Sequence, residues 1–396
     1  MKLRTNLRRL LLLATLAVAA AISTGLLATP GSSAASSSQA TNAPGAVYAM
    51  TNERAGNRIL VYDRHSDGTL APPRSVATGG TGSGAIDQSA NSLVLAGGNY
   101  ESSQAVAGGS AQFLFTVNTG SNSVSSFRLK SGDPVLADVE SGLDHPISVA
   151  YSKHRLFVLN AGNQSCLGSN PTITGFTVDA RGELTPIPGS TREVPGGPES
   201  GCTMISFNPR GDVLVVSEKL ADLLITYTVS REGIPSAPIV NNTTGVDPFG
   251  FAFTRQNQLI TSENYNSMGG GVSTYDVPES GVLVPISPSV LNGRNDACWV
   301  AITNDEKYFY VSNAVSGDVS SYTLDNDGNI ALLEAVAADV GPMAFDEAMS
   351  NDSKYLYIRS LTPGTIEVFA IQQDGGLVKI QSIGGLPPGS EGLAAR

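Results

Sequence analysis

Residues 319–333 read VSSYTLDNDGNIALL. Polar and apolar residues alternate up to an aromatic, a polar turn containing Gly follows, and a second short apolar run ends the stretch. Six relatives of it occur elsewhere: ILVYDRHSDGTLAP from Ile59, VSSFRLKSGDPVLAD from Val124, ITGFTVDARGELTPI from Ile173, LITYTVSREGIPSAP from Leu224, VSTYDVPESGVLVPI from Val272 and IEVFAIQQDGGLVKI from Ile366. In the copy at Val124 the turn is SGDP, with Pro after it. The aromatic stands at Tyr62, Phe127, Phe176, Tyr227, Tyr275, Tyr322 and Phe369, in steps of 65, 49, 51, 48, 47 and 47 residues. A near-constant period of that size marks a repeat architecture, and the two-residue alternation marks strands.

Further strands precede the stretch in each unit, two of them in six units and one in the first. The nearer one ends in a polar residue: VYAMTN (47–52), FLFTVN (113–118), RLFVLN (155–160), LVVSE (214–218), LITSE (259–263), YFYVSN (308–313) and YLYIRS (355–360). Before six of these lies another: SLVLAG (92–97), ISVAYS (147–152), TMISFN (203–208), FGFAFT (249–254), WVAITN (299–304) and MAFDEA (343–348). Four short antiparallel strands in about 50 residues make a propeller blade and not a helical or leucine-rich repeat. The fold expected is therefore all-β, a seven-bladed β-propeller of four-stranded antiparallel blades. The first unit lacks its first strand. GSEGLAA (389–395) is the candidate to supply it, closing the ring by pairing the N- and C-terminal strands. Blades 2 and 3 carry insertions at 97–110 and 162–171, and insertions in repeats become loops on one face, often the binding face.

The fold begins near residue 45. Lys2, Arg4, Arg8 and Arg9 precede an apolar run at 10–27, and Ser33-Ala34-Ala35 fits a signal-peptidase site, so residues 1–35 read as a signal peptide. Residues 36–44 read as a flexible spacer, and 45–396 as the propeller. Export is expected, with a secreted, extracellular protein free of the membrane once the signal is cleaved; the alternative reading of that run is an uncleaved anchor. Loss of the four basic residues takes Lys+Arg from 24 to 20 against 35 acids, a net charge near −15. That charge argues against nucleic acid or an anionic membrane as partner. Charged residues make up only 15% and glycines number 43, as suits a turn-rich all-β chain.

With the YVSNAVSGDVSSYTLDNDG run and its six relatives in view, the chain resembles the lactonase family of seven-bladed propellers, which includes phosphogluconolactonases and a carboxymuconate cycloisomerase. The resemblance spans 45–396 and is carried by YVTN-type repeats. It implies a hydrolase of a lactone ring, or a related cycloisomerase, with a His, a carboxylate and arginines around the central channel. His145-Pro146 resembles the family's HP element, and Glu218 falls where a blade-4 acid is expected. At the start of blade 4, where the enzymes carry histidines, this chain has Gly201, Cys202 and Thr203.

Propeller geometry puts first-strand starts and second-strand ends on one face around the channel. The second-strand ends are Asn52, Asn118, Asn160, Glu218, Glu263, Asn313 and Ser360. We expect His145, Glu218 and Arg294 as the catalytic group and Asn118, Asn160, Glu263 and Asn313 as substrate contacts. Glu218 or His145 would activate water, and Arg294 would hold a carboxylate or the developing oxyanion. Each has a passive reading as well: the glutamates capping loop amides, His145 bonded to backbone, Arg294 exposed in its loop. Arg359 is set aside because Ser360 competes for the mouth position. No GxSxG nucleophile occurs. Three histidines and no zinc-type cysteine spacing leave no metal or other cofactor expected, a divalent ion on the two glutamates being the weaker alternative. Cys166 in the blade-3 mouth loop and Cys202 at the start of blade 4 are the expected disulfide, with Cys298 a free, buried packing thiol. The partner expected is a small-molecule lactone or another extracellular ligand, and the protein is expected to be a monomer. The competing reading is a non-catalytic extracellular propeller that binds a glycan, a peptide or a cell-wall component.

Overall fold

The computed structural model describes residues 45–97, 100–101, 104–105, 111–130, 132–163, 166–264 and 269–396. The signal peptide and spacer read at 1–44 lie outside these residues, as does part of the blade-2 insertion. Among the described residues seven sheets of four or five strands form blades, numbered here in chain order, beside a small two-stranded sheet. Blades 4 to 7 have the plain order of four consecutive strands; blade 6, for example, runs Ala297–Ile302, Tyr308–Asn313, Asp318–Leu324 and Ile330–Asp339. Blade 3 adds a short strand, Arg192–Glu193, that pairs with Thr172–Val178. Within the blade-2 insertion, Tyr100–Glu101 pairs with Gln104–Ala105. No α-helix occurs among the described residues, and none of their helices is long and apolar enough to cross a membrane.

Blade 1 is assembled from both ends of the chain. Glu391–Ala395 is its innermost strand and pairs antiparallel with Gly45–Met50, Val47 opposite Ala395 and Met50 opposite Glu391. Arg396 N–H donates to the Ala46 carbonyl at 3.0 Å. The ring is thereby closed, and closure protects sheet edges that would otherwise template aggregation.

The repeated aromatic explains the period. All seven are buried at 2% exposure or less. Each lies on the third strand opposite an apolar residue of the second: Tyr62 opposite Val47, Phe127 opposite Leu114, Phe176 opposite Leu156, Tyr227 opposite Leu214, Tyr275 opposite Leu259, Tyr322 opposite Phe309 and Phe369 opposite Leu356. Cross-strand pairs of this kind are the units that stabilise a sheet, and the Tyr227 hydroxyl also donates to the Glu193 carbonyl of the preceding blade at 2.7 Å. The turn after the aromatic carries a glycine of positive φ in every blade: Gly68, Gly132, Gly182, Gly233, Gly281, Gly328 and Gly375, all between 75° and 94°. Only glycine takes that conformation without steric cost. At Gly68 and Gly375 a Cβ would also collide with the Tyr355 and Tyr308 rings of the preceding blade.

Candidate active site at the channel mouth

In blades 2, 3, 5 and 6 the second-strand end bonds back to its own third strand. Asn118 Nδ2 donates to Ser125 Oγ at 2.6 Å, Asn160 Nδ2 to Thr174 Oγ1 at 3.2 Å, and Asn313 Nδ2 to Ser320 Oγ at 3.0 Å. Glu263 accepts from the hydroxyls of Ser273 and Ser289. Ser125, Thr174, Ser273 and Ser320 occupy the same register on their third strands. The set is a clasp between second and third strands. Blade 4 lacks it, since Ile225 stands at that register, as Ile59 does in blade 1 and Glu367 in blade 7. Glu218 is 0% exposed and neither carboxyl oxygen has a hydrogen-bond partner, although Ser200 lies beside it. Burial pushes its pKa up to about 7, against a lowering by Ser200.

The first strands share a recurring irregularity. In blades 1 and 3 to 7 the pairing of first and second strands shifts register near the mouth. Such a bulge inserts one residue and re-aims the side chains beside it. In blade 7 the extra residue is Asp346, held at φ 38°. Its Oδ2 lies 3.4 Å from Arg359 Nε and accepts the Gly392 N–H at 3.0 Å. Arg359 is 1% exposed, also donates to Ser390 Oγ at 3.2 Å, and lies over the Phe345 ring. In blade 6 the extra residue is Cys298, beside Asp296, with Asn264 Nδ2 3.5 Å from its sulfur. Burial, and then Asp296, push the Cys298 thiol up, so it is an inert thiol. From blade 4, Lys219 reaches Gln88 Oε1 at 2.7 Å and lies 5.3 Å from the Phe249 ring centroid.

His145 completes this polar belt. Its φ is +53°, a conformation rare for a non-glycine residue. It is held there by N–H donation to Asn122 Oδ1 at 2.9 Å and by its carbonyl, which accepts from Ala161 N–H at 3.0 Å. Nε2 of the ring lies 3.0 Å from Asp87 Oδ1, and the other Asp87 oxygen accepts from Ser83 Oγ at 2.7 Å. The Asp87 side chain is 1% exposed and that of His145 21%. Both border a cavity of about 400 Å³ whose wall includes Arg54, Thr119 and Asn122. A carboxylate at that distance can only accept, which favours the tautomer with the proton on Nε2. Ser83 bonds the acid and not the imidazole, so the three do not form a serine-nucleophile relay. Below the belt a second cavity, of about 280 Å³, runs between inner strands and is walled by Leu93, Phe251, Phe253 and Trp299.

Among the described residues, no hydrogen bond or ion pair joins His145 to Glu218 or Arg294. Arg294 is bound to Asp318 through both Nε, at 2.9 Å, and Nη2. The sequence does not single out Asp87, Arg54, Thr119 or Asn122, which lie beside His145 or share its cavity, nor Asp346 and Lys219 of the belt, and it sets Arg359 aside. Asp87 lies in the irregular link between blades 1 and 2, where no periodicity points to it. Asp346 lies on a bulge. Lys219 had a readable signal, since it is the residue after a second-strand end. Cys166 and Cys202 are disulfide-bonded with Cα atoms 5.5 Å apart, and Cys298 is free and buried. No group of three His, Cys, Asp or Glu side chains among the described residues is placed to hold a metal ion.

Fold and belt together define a seven-bladed propeller with a polar, acid-rich channel mouth. The family model described as Lactonase, 7-bladed beta-propeller, matches residues 261–385. Over that stretch the chain is similar to the lactonase propellers, in keeping with the repeats. Similar solved structures include the periplasmic gluconolactonase PpgL of Pseudomonas aeruginosa, 18% identical with a TM-score of 0.70 over 89% of this chain and 98% of that one. Two more carry provisional assignments as 6-phosphogluconolactonases. The Bacteroides uniformis protein is 14% identical with a TM-score of 0.67 over 89% of this chain and 99% of that one. The Bacteroides fragilis protein is 17% identical with a TM-score of 0.63 over 90% and 98%. At such identities the likeness is one of fold. No curated protein sequence matches the chain.

Proposed function

We propose that the protein hydrolyses a lactone at the channel mouth, with His145 as general base and Asp87 as the group that orients it. The observation that carries this is the 3.0 Å contact between His145 Nε2 and the buried Asp87 carboxylate at the wall of an open cavity. His145 Nδ1 takes a proton from water as the water oxygen bonds to the lactone carbonyl. The carbonyl π electrons move to oxygen, where the Arg54 guanidinium stabilises the charge. On collapse the ring C–O bond breaks, and the imidazolium returns its proton to the leaving alkoxide. The product is a hydroxy acid. The lactone is a small molecule drawn from outside the cytoplasm. Supporting export are the n-region and apolar run of residues 1–35, the Cys166–Cys202 disulfide and the periplasmic placing of PpgL. Acid release from a panel of lactones, followed by pH-stat, tests the reading. Wild type should release acid, and His145→Ala should lose at least about 10²-fold in rate, in line with a general base. Release unchanged in His145→Ala would remove the residue from the mechanism. No release from any lactone by folded protein would favour the non-catalytic ligand-binding reading.

A further inference from the structure

We propose that Glu391, on the strand that closes the ring, is a positioning residue for the Asp87–His145 pair. The chain's last strand is then part of the site as well as of the fold. The proposal rests on the reading of those two residues given above.

Asp87 has no sheet to hold it. It lies before the inner strand of blade 2, Leu93–Ala96, in a link without regular structure. Glu391 supplies the missing anchor. Its Oε1 accepts the backbone N–H of Asp87 at 2.6 Å and that of Gln88 at 3.2 Å. Two consecutive amides on one oxygen fix the peptide plane between them, and with it the direction in which Asp87 leaves the backbone. Asp87 then meets His145, and Gln88 accepts from Lys219. Glu391 is itself held from blade 7. The neighbouring Gly392 N–H goes to Asp346, Asp346 pairs with Arg359, and Arg359 donates to Ser390. Residues 390–392 therefore tie blade 7 to blade 2 across the closing strand. Glu391 is 3% exposed. A buried carboxyl is costly to keep where an apolar residue would serve closure alone.

The test compares Glu391→Ala, Glu391→Gln and Glu391→Asp in the mature full-length protein. Glutamine keeps an acceptor oxygen at the same reach, whereas aspartate falls one methylene short. Turnover of the lactone that wild type uses best is measured, and the His145 ring tautomer is read by ¹⁵N NMR. We expect Glu391→Ala to lower kcat on the order of 10²-fold, as misplacement of a catalytic group by about 1 Å does, with KM little changed. The ring should pass from a single Nε2–H form to a tautomer mixture, and Glu391→Gln should restore both readouts. Should the alanine variant fail to fold, Glu391→Asp carries the test, with loss of kcat and tautomer mixing expected. An unchanged tautomer and kcat in the short variants, or a glutamine variant as impaired as alanine, overturns the proposal. If wild type hydrolyses no lactone, the reading of activity fails, while the tautomer response still decides the role of Glu391.

Discussion

Glu218 is a buried second-strand end that the clasp does not reach. Four blades satisfy the second-strand end with a third-strand hydroxyl, and blade 4 offers Ile225 instead. Buried with only Ser200 beside it, the carboxyl stays protonated in the folded protein until about pH 7. In the unfolded chain it ionises near its ordinary value of 4.5. The folded state therefore binds the proton more tightly. The stabilisation is fully present below about pH 4.5 and is lost as pH rises through 7. A shift of that size corresponds to about 3 kcal/mol. Glu218→Gln removes the titrating group. Denaturant unfolding should show wild type losing stability relative to this variant between pH 4.5 and 7, with the difference level above. Parallel curves across that window would show that the carboxyl is solvated or paired in solution.

At the scale of the element, the clasp explains why the strand pattern was easy to read and the mouth was not. Alternation gives the strands, because every second residue must be apolar to fill the space between blades. It also gives the second-strand ends. Which way those ends point is a matter of a single residue, and a one-residue shift moves a side chain to the opposite face. Asn118, Asn160, Glu263 and Asn313 thus spend their polar groups on Ser or Thr of the third strand, while Lys219 and Asn264, one position further on, join the belt. The bulges are less visible still. Asp346 reads as an alternating strand residue within MAFDEA, and only the extra residue in the pairing turns it toward Arg359. The clasp can be tested in blade 5. Ser273→Ala deprives buried Glu263 of one of its two side-chain donors and should cost about 1–3 kcal/mol in unfolding free energy. A change within about 0.5 kcal/mol, the usual range for a surface site, would mean that the hydroxyl contributes little.

For the molecule as a whole, closure by the last strand was legible from a count: seven second strands and six first strands call for a seventh from the far end of the chain. The structure places Glu391–Ala395 there. Removing residues 388–396 leaves Gly45–Met50 an open edge and strips the cover of Leu393, Ala394 and Ala395, all buried. The truncated ring should lose at least about 3 kcal/mol and self-associate through the bared edge. An unchanged thermal midpoint in a monomeric truncated protein would show that the ring does not depend on this strand. The position proposed for the chemistry was not legible in the same way. The HP element marked His145, but its partner Asp87 comes from a link with no repeat, brought beside it only when blades 1, 2 and 3 stand in a ring.

The placing of the active centre at His145 and Asp87, away from Glu218, is the claim on which the rest depends. The most direct measurement is the rate of acid release from the best lactone by Asp87→Asn and Glu218→Gln, side by side with wild type. The account predicts that Asp87→Asn, which removes the carboxylate that sets the His145 tautomer, loses on the order of 10²-fold or more. It predicts that Glu218→Gln, outside the belt, keeps wild-type turnover at neutral pH. Full activity in Asp87→Asn with loss in Glu218→Gln would contradict it and move the active centre into blade 4.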